Sequence, residues 1–180
     1  MKKKVLIVST SLRDGSNSEI LARECERGAK DAGHSVEFVS LKGKDIRFCI
    51  GCFACQQTGG CVLNDDANDI REKAKAADVI VYATPIYYYE MSGQMKALLD
   101  RMNPLSCVDY AFRDVYMIAA AAEEGDRVFE KAYNGLQGWV DCFEKATIRG
   151  IVCGGGITDA NDAPRHAQTM TAAYVLGREI

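Results

Sequence analysis

Five short apolar runs, each followed by a polar loop or an amphipathic segment, set the strongest limit on how this chain can fold. Val5-Leu6-Ile7-Val8 is uninterrupted and mostly β-branched, as a parallel strand buried on both faces requires. Val36, Phe38 and Val39 suggest a second strand, Val79 to Ala83 a third, Val115 to Ala121 a fourth and Thr147 to Cys153 a fifth. Ile20, Leu21, Cys25 and Ala29 recur at helical spacing between about Glu19 and Ala32, and Gly33 is a natural stop. Further helices are expected over Asp69–Ala77, Gln94–Met102, Asp126–Glu144 and Arg165–Gly177. Strands and helices alternating in this order build an α/β fold, a parallel sheet of five strands with helices on both faces. Ligands collect at the carboxyl ends of such strands. The segments Ser9–Ser18, Thr84–Ser92 and Ala119–Gly125 follow strand ends, so the chemistry is expected there.

The 180 residues fit a single domain spanning 1–180, with no repeat, linker or low-complexity stretch. A net charge of −3 and the lack of a basic stripe exclude a general nucleic-acid binder. Lys2, Lys3 and Lys4 precede an apolar run of only four residues, too short for a signal-peptide core or a membrane span. Without a leader, the eight cysteines read as intracellular thiols or metal ligands, and the expected compartment is the cytoplasm.

Half of those cysteines fall in thirteen residues, CIGCFACQQTGGC, at positions Cys49, Cys52, Cys55 and Cys61. They lie in a long glycine-marked stretch, Leu41 to Asp66, of the kind that is usually functional or disordered. A tight run of thiolates suits an iron–sulfur cluster, and four cysteines can also close a tetrahedral zinc site. Packing as ordinary apolar thiols is the third reading. Cys25, Cys142 and Cys153 fall on helix or strand positions and read as core, and Cys107 as a loop thiol. His34 and His166 stand beside no nucleophile or ligand set, so neither is expected to be catalytic.

Ser9, Thr10, Ser11, Arg13, Ser16, Asn17 and Ser18 crowd the first loop just ahead of a helix. A helix N-terminus offers free N–H groups and a positive dipole end to a phosphate. Hydroxyls add donors, and an arginine can form a fork with two phosphate oxygens. One capping residue would explain one of these seven, not the set. Both GxxxxGK[ST] and GxGxxG are missing. The second loop reads TPIYYYEMSGQMKALLDR. Pro85 is expected to fix its turn, and Tyr87, Tyr88 and Tyr89 cannot all face a core. Exposed aromatics at a strand's carboxyl end suit a flat ring or a subunit interface.

TSLRDGSNS resembles the phosphate loop of the flavodoxin-like NADPH-dependent FMN reductases, and TPIYYYEMSGQMKALLDR resembles their isoalloxazine loop and following helix. The cysteine run is similar to that of the iron–sulfur flavoproteins, a branch of the same superfamily in which C-x2-C-x2-C-x5-C carries a [4Fe–4S] cluster. The resemblance extends through the C-terminal GGGITDANDAPRHAQTMTAAYVLGREI. It implies a flavodoxin-like fold in which Ser11, Arg13, Ser16, Asn17 and Ser18 hold the FMN phosphate. It implies that Pro85, Ile86, Tyr87 and Tyr88 line the ring, with Ala121, Ala122, Glu123 and Glu124 passing its pyrimidine side. The other reading of the Glu123-Glu124 pair is that it opens the next helix, where carboxylates favour the dipole. If the cysteines hold metal, Cys49, Cys52, Cys55 and Cys61 are the ligands.

The leading expectation is an FMN-dependent NAD(P)H oxidoreductase that serves a quinone-like or other small electron acceptor, since the flavin loops suffice for hydride chemistry. The alternatives are an iron–sulfur flavoprotein that exchanges single electrons with a redox protein partner, and a non-catalytic redox-sensing flavin-binding protein. A homodimer or homotetramer is expected, with the tyrosines near the interface.

Overall fold

The computed structural model describes residues 1–180. In chain order it has β1 (Lys4–Ser9), α1 (Asn17–Asp31), β2 (Ser35–Ser40), α2 (Ala54–Thr58) and α3 (Asp66–Ala76). These are followed by β3 (Val79–Tyr87), β4 (Glu90–Met91), α4 (Gly93–Arg101), β5 (Asp114–Ala120), α5 (Arg127–Val140), β6 (Thr147–Gly154) and α6 (Ala167–Glu179). Five strands form one parallel sheet in the order β2-β1-β3-β5-β6. The sixth, β4, is a two-residue strand that pairs antiparallel with the end of β3. From β1 the chain turns outward to β2, then crosses back to β3 on the other side. That reversal opens a crevice between the carboxyl ends of β1 and β3, as in every flavodoxin-like sheet.

The uninterrupted apolar runs are explained by two cores, one on each face. Leu6, Val8, Ile80 and Tyr82 point to the larger core, with Met95, Leu98 and Leu99 of α4 and Val128, Ala132 and Leu136 of α5. Val5, Ile7, Val79 and Val81 point to the other, with Leu21, Ala22 and Cys25 of α1 and Ala173 of α6. Side chains alternate along a strand, so a strand covered on both faces must be apolar at every position. Each fully buried aliphatic contributes about 1.5–3 kcal/mol. That is more than the helix-surface pairs such as Lys30–Glu26 supply, at up to about 1 kcal/mol each.

Several boundaries differ from the sequence expectation. α3 starts three residues earlier than Asp69, because Asp65 caps it by accepting from Ala67 N. α5 ends at Val140 rather than near Glu144, and turn bonds such as Phe143 N to Val140 O follow it. Cys142 therefore sits exposed on a turn, not in the core, and Cys153 is exposed on the edge strand β6; Cys25 is buried as expected. Thr84 to Tyr87 is strand, not loop. Pro85 is paired with Ala120 of β5, and the turn falls on Tyr88 and Tyr89, with φ of 51° and 67°. Two consecutive left-handed residues match the twist of a tight hairpin.

Candidate flavin site and cysteine cavity

The first loop leaves β1 at Ser9 and enters α1 at Asn17. Thr10 N and Thr10 Oγ1 both donate to Ala83 O, each at 2.9 Å, which pins the loop to the end of β3. Ser16 caps α1, its Oγ accepting from Glu19 N at 3.4 Å and lying 3.1 Å from Ser18 Oγ. Ser11, Ser16 and Ser18 are buried, and the first-turn amides of Asn17 and Ser18 have no acceptor in the protein. Three hydroxyls and free amides at a helix N-terminus can together receive a phosphate. Arg13 is exposed and its Nη1 donates to Thr158 O at 2.9 Å. Asn17 is committed elsewhere. Its Nδ2 donates to Asp159 O, and its Oδ1 accepts from the amides of Asp162 and Ala163. Asn17 thus anchors the segment after β6, with one exposed bond added by Arg13; no local sequence pattern connects that segment to this loop. Gly15 allows the approach: its φ is 65°, and a Cβ there would lie 2.5 Å from the Asn161 side chain.

The second loop is a hairpin. Pro85 and Ile86 are partly exposed, while Tyr87, Tyr88 and Tyr89 are exposed beside the crevice. Ser92 ends the hairpin and caps α4, accepting from Met95 N at 3.2 Å. Its own N–H donates to Thr84 Oγ1 at 3.0 Å. In the third loop Ala121 is buried and Ala122 exposed. Ala121 N donates to Gly154 O, and its carbonyl accepts from Ile157 N. Glu123 does not open α5, which starts at Arg127. It accepts a 2.8 Å hydrogen bond from the Tyr89 hydroxyl, and that bond holds the phenol above its ordinary pKa. The structure therefore brings all three expected loops to one end of the sheet. His34 accepts from Lys3 N, and His166 faces Asp162, whose amide donates to Asn17.

Cys49, Cys52, Cys55 and Cys61 line a separate cavity of about 500 Å³, walled by Phe53, Trp139 and Phe143 and reached also by Cys142. Phe53 (φ 56°) and Gly59 (φ 67°) turn the chain at either end of α2; Cys49 and Cys52 are exposed, and Cys55 and Cys61 half-buried. Asn103 Nδ2 donates to Cys55 Sγ at 3.0 Å. Arg101 is fully buried against Asp65. Burial opposes its charge, yet Asp65 and the neighbouring Cys61 sulfur outweigh that and move its pKa up. No group of three or more His, Cys, Asp or Glu side chains is already arranged around one metal position. A tetrahedral zinc with bonds of about 2.3 Å needs its sulfurs about 3.8 Å apart. In a cubane cluster each thiolate takes its own iron, so the sulfurs stand wider. Four lining thiols and a volume of about 500 Å³ leave room for the larger group.

Sheet order and crevice define a flavodoxin-like α/β protein whose three loops converge at the switch point of its sheet. The chain belongs to the NADPH-dependent FMN reductase family, whose model matches residues 3–150. An iron–sulfur flavoprotein of Methanocaldococcus jannaschii is 39% identical over 102 residues, 57% of this chain and 53% of the relative. An iron–sulfur flavoprotein of Methanosarcina thermophila is 31% identical over 157 residues, 86% of this chain and 82% of the relative. The chain spans about half the length of the first and about four-fifths of the second. In fold it is similar to an NAD(P)H:quinone oxidoreductase from Methanothermobacter marburgensis, with a TM-score of 0.79 at 17% identity over 99% of this chain and 96% of the other.

Proposed function

We propose that the protein binds FMN at the three converging loops, takes reducing equivalents from NADH or NADPH and delivers them to a quinone-like or other small acceptor. The observation that carries this is the crevice itself: a helix N-terminus with free amides faces an exposed aromatic hairpin across the β1/β3 switch point. FMN, when bound, supplies the hydride-accepting ring. Ser11, Ser16, Ser18 and Arg13 hold the phosphate, while Pro85, Ile86, Tyr87 and Tyr88 cover the ring and keep water from it. Ala121 and Ala122 border its other side. Asn17 offers the phosphate its free backbone amide, while its side-chain amide holds the wall of the site. Titration with FMN and FAD, followed by anaerobic NAD(P)H oxidation with a quinone, tests the reading. Failure to bind FMN sinks it, and binding without turnover leaves a redox-sensing flavoprotein.

The cysteine cavity favours a second component. Its four thiols face one space, two N–H donors border it, and related chains carry the name iron–sulfur flavoprotein. In this reading Cys49, Cys52, Cys55 and Cys61 hold a [4Fe–4S] cluster that exchanges single electrons with the flavin or a redox protein partner. Iron and acid-labile sulfide near four of each per chain are expected after anaerobic preparation. Protein devoid of both leaves a cluster-free reductase. No helix is long and apolar enough to cross a membrane. Function in the cytoplasm, as a homodimer or homotetramer and without nucleic acid, belongs to the same proposal.

A further inference from the structure

Arg101 holds the cysteine segment at both ends. Its Nη1 donates to Arg47 O, two residues before Cys49, and its Nη2 donates to Leu63 O, two residues after Cys61. Both nitrogens also donate to Asp65, so the fork is spent and its charge is balanced on that side. Nε remains. It is the one buried side-chain nitrogen or oxygen in the molecule without a hydrogen-bond partner. Buried N–H groups are almost always paired, so an unpaired one needs an acceptor not yet named. Arg101 and Cys61 line the same cavity. Two residues on, Asn103 already donates to Cys55 Sγ.

We propose that Arg101 and Asn103 are positioning residues that set the reduction potential of a cluster held by the four cysteines, Arg101 through Nε–H toward Cys61 and Asn103 through its amide to Cys55. The proposal rests on the cluster reading above. An N–H aimed at a ligating sulfur stabilises the reduced, more negative form and raises the potential. Because Asp65 cancels the guanidinium charge, what faces the cavity is chiefly one N–H dipole. Aromatic walls from Trp139 and Phe143 limit its screening. Cys49 and Cys52 are exposed and have no protein donor, so the two sides of the cluster are unlike. Arg101→Lys keeps a charge but cannot keep both the fork and a donor toward the cavity.

The test uses anaerobically prepared holoprotein. Wild type is first assayed for iron and sulfide; protein lacking both overturns the cluster reading itself, before any variant is made. With the cluster present, redox titration followed by electron paramagnetic resonance compares wild type with Asn103→Ala, an exposed position that tolerates the change. The expected result is unchanged iron and FMN content with a more negative midpoint potential, and a larger negative shift for Arg101→Lys. An unaltered midpoint in iron-replete Asn103→Ala overturns the asparagine's part. Because Arg101→Lys can fail to fold, reduced wild type labelled with ¹⁵N-arginine supplies the direct readout. A nitrogen hyperfine coupling that persists in Arg47→Lys is expected. Its absence from wild type overturns the arginine's part.

Discussion

Thr10 Oγ1 and Ser92 Oγ lie 3.1 Å apart in a buried seam, joining the phosphate loop to the cap of α4 beyond the tyrosine hairpin. Ser92→Ala removes this bond and the cap on Met95 N together. A lost cap costs about 1 kcal/mol and the buried hydroxyl pair about as much again. The expected outcome is a protein destabilised by about 1–2 kcal/mol with weaker FMN binding, read by thermal melting and flavin titration. An unchanged melt would show that the seam is not structural.

Arg13 and Asn17 should separate cleanly. Arg13 is exposed, so Arg13→Ala should leave the melting temperature nearly unchanged while weakening FMN binding by about 1.5–3 kcal/mol. Asn17 makes three bonds to the segment after β6, so Asn17→Ala should lower stability by about 1–3 kcal/mol. Equal flavin affinity in wild type and Arg13→Ala removes Arg13 from the site.

Asp65 predicts the acid limb of stability. Burial would raise its pKa, but the Arg101 fork and the amides of Arg47 and Ala67 lower it from 3.8 to about 2. A carboxyl depressed on folding contributes stability that is complete above the unfolded value and disappears as pH falls through the folded one. Melting temperature should therefore drop between about pH 4 and pH 2. Asp65→Asn, which leaves the buried Arg101 uncompensated, should cost about 3–5 kcal/mol at neutral pH and flatten that drop. A wild-type melt that is level across this interval contradicts the assignment.

The sheet was legible because strands covered on both faces cannot hide polar residues, so Val5–Val8 and Val79–Ala83 stand out. The first loop was legible because its hydroxyls are adjacent in sequence. The hairpin was less so: Tyr88 and Tyr89 adopt positive φ where glycine or asparagine would have signalled a turn, and Pro85 suggested one in its place. The partners of Asn17 lie more than 140 residues away, and no local pattern announces them. Nothing in the local sequence marks Arg101. Only the fold brings it between the two ends of the cysteine segment, where Cys142 also arrives from the end of α5.

Helices α1 and α6 cross at two glycines. A Cβ on Gly28 would lie 2.1 Å from Tyr174 O, and one on Gly177 2.0 Å from Cys25 O. Both obstacles are backbone, so neither can swing aside. Gly28→Ala and Gly177→Ala should each lose about 1–3 kcal/mol or more by forcing the helices apart, despite alanine's better helix propensity. Chemical denaturation measures this directly, and a stabilised variant would refute the close crossing.

Tyr88 is 98% exposed and holds φ at 51°, a conformation that disfavours a bulky side chain by about 1–2 kcal/mol. Neither its surroundings in one chain nor its backbone accounts for a tyrosine there. The proposed flavin and subunit contacts would give it a role, and Phe48, Ile50, Phe53 and Val62 add further exposed apolar surface along the cysteine segment. Tyr88→Gly should relieve the strain, so the isolated chain should melt no lower than wild type, while self-association weakens. Light scattering across a dilution series, paired with thermal melts, reads both effects. A wild-type protein that is monomeric at working concentration removes the subunit-interface role and leaves Tyr88 to the flavin alone.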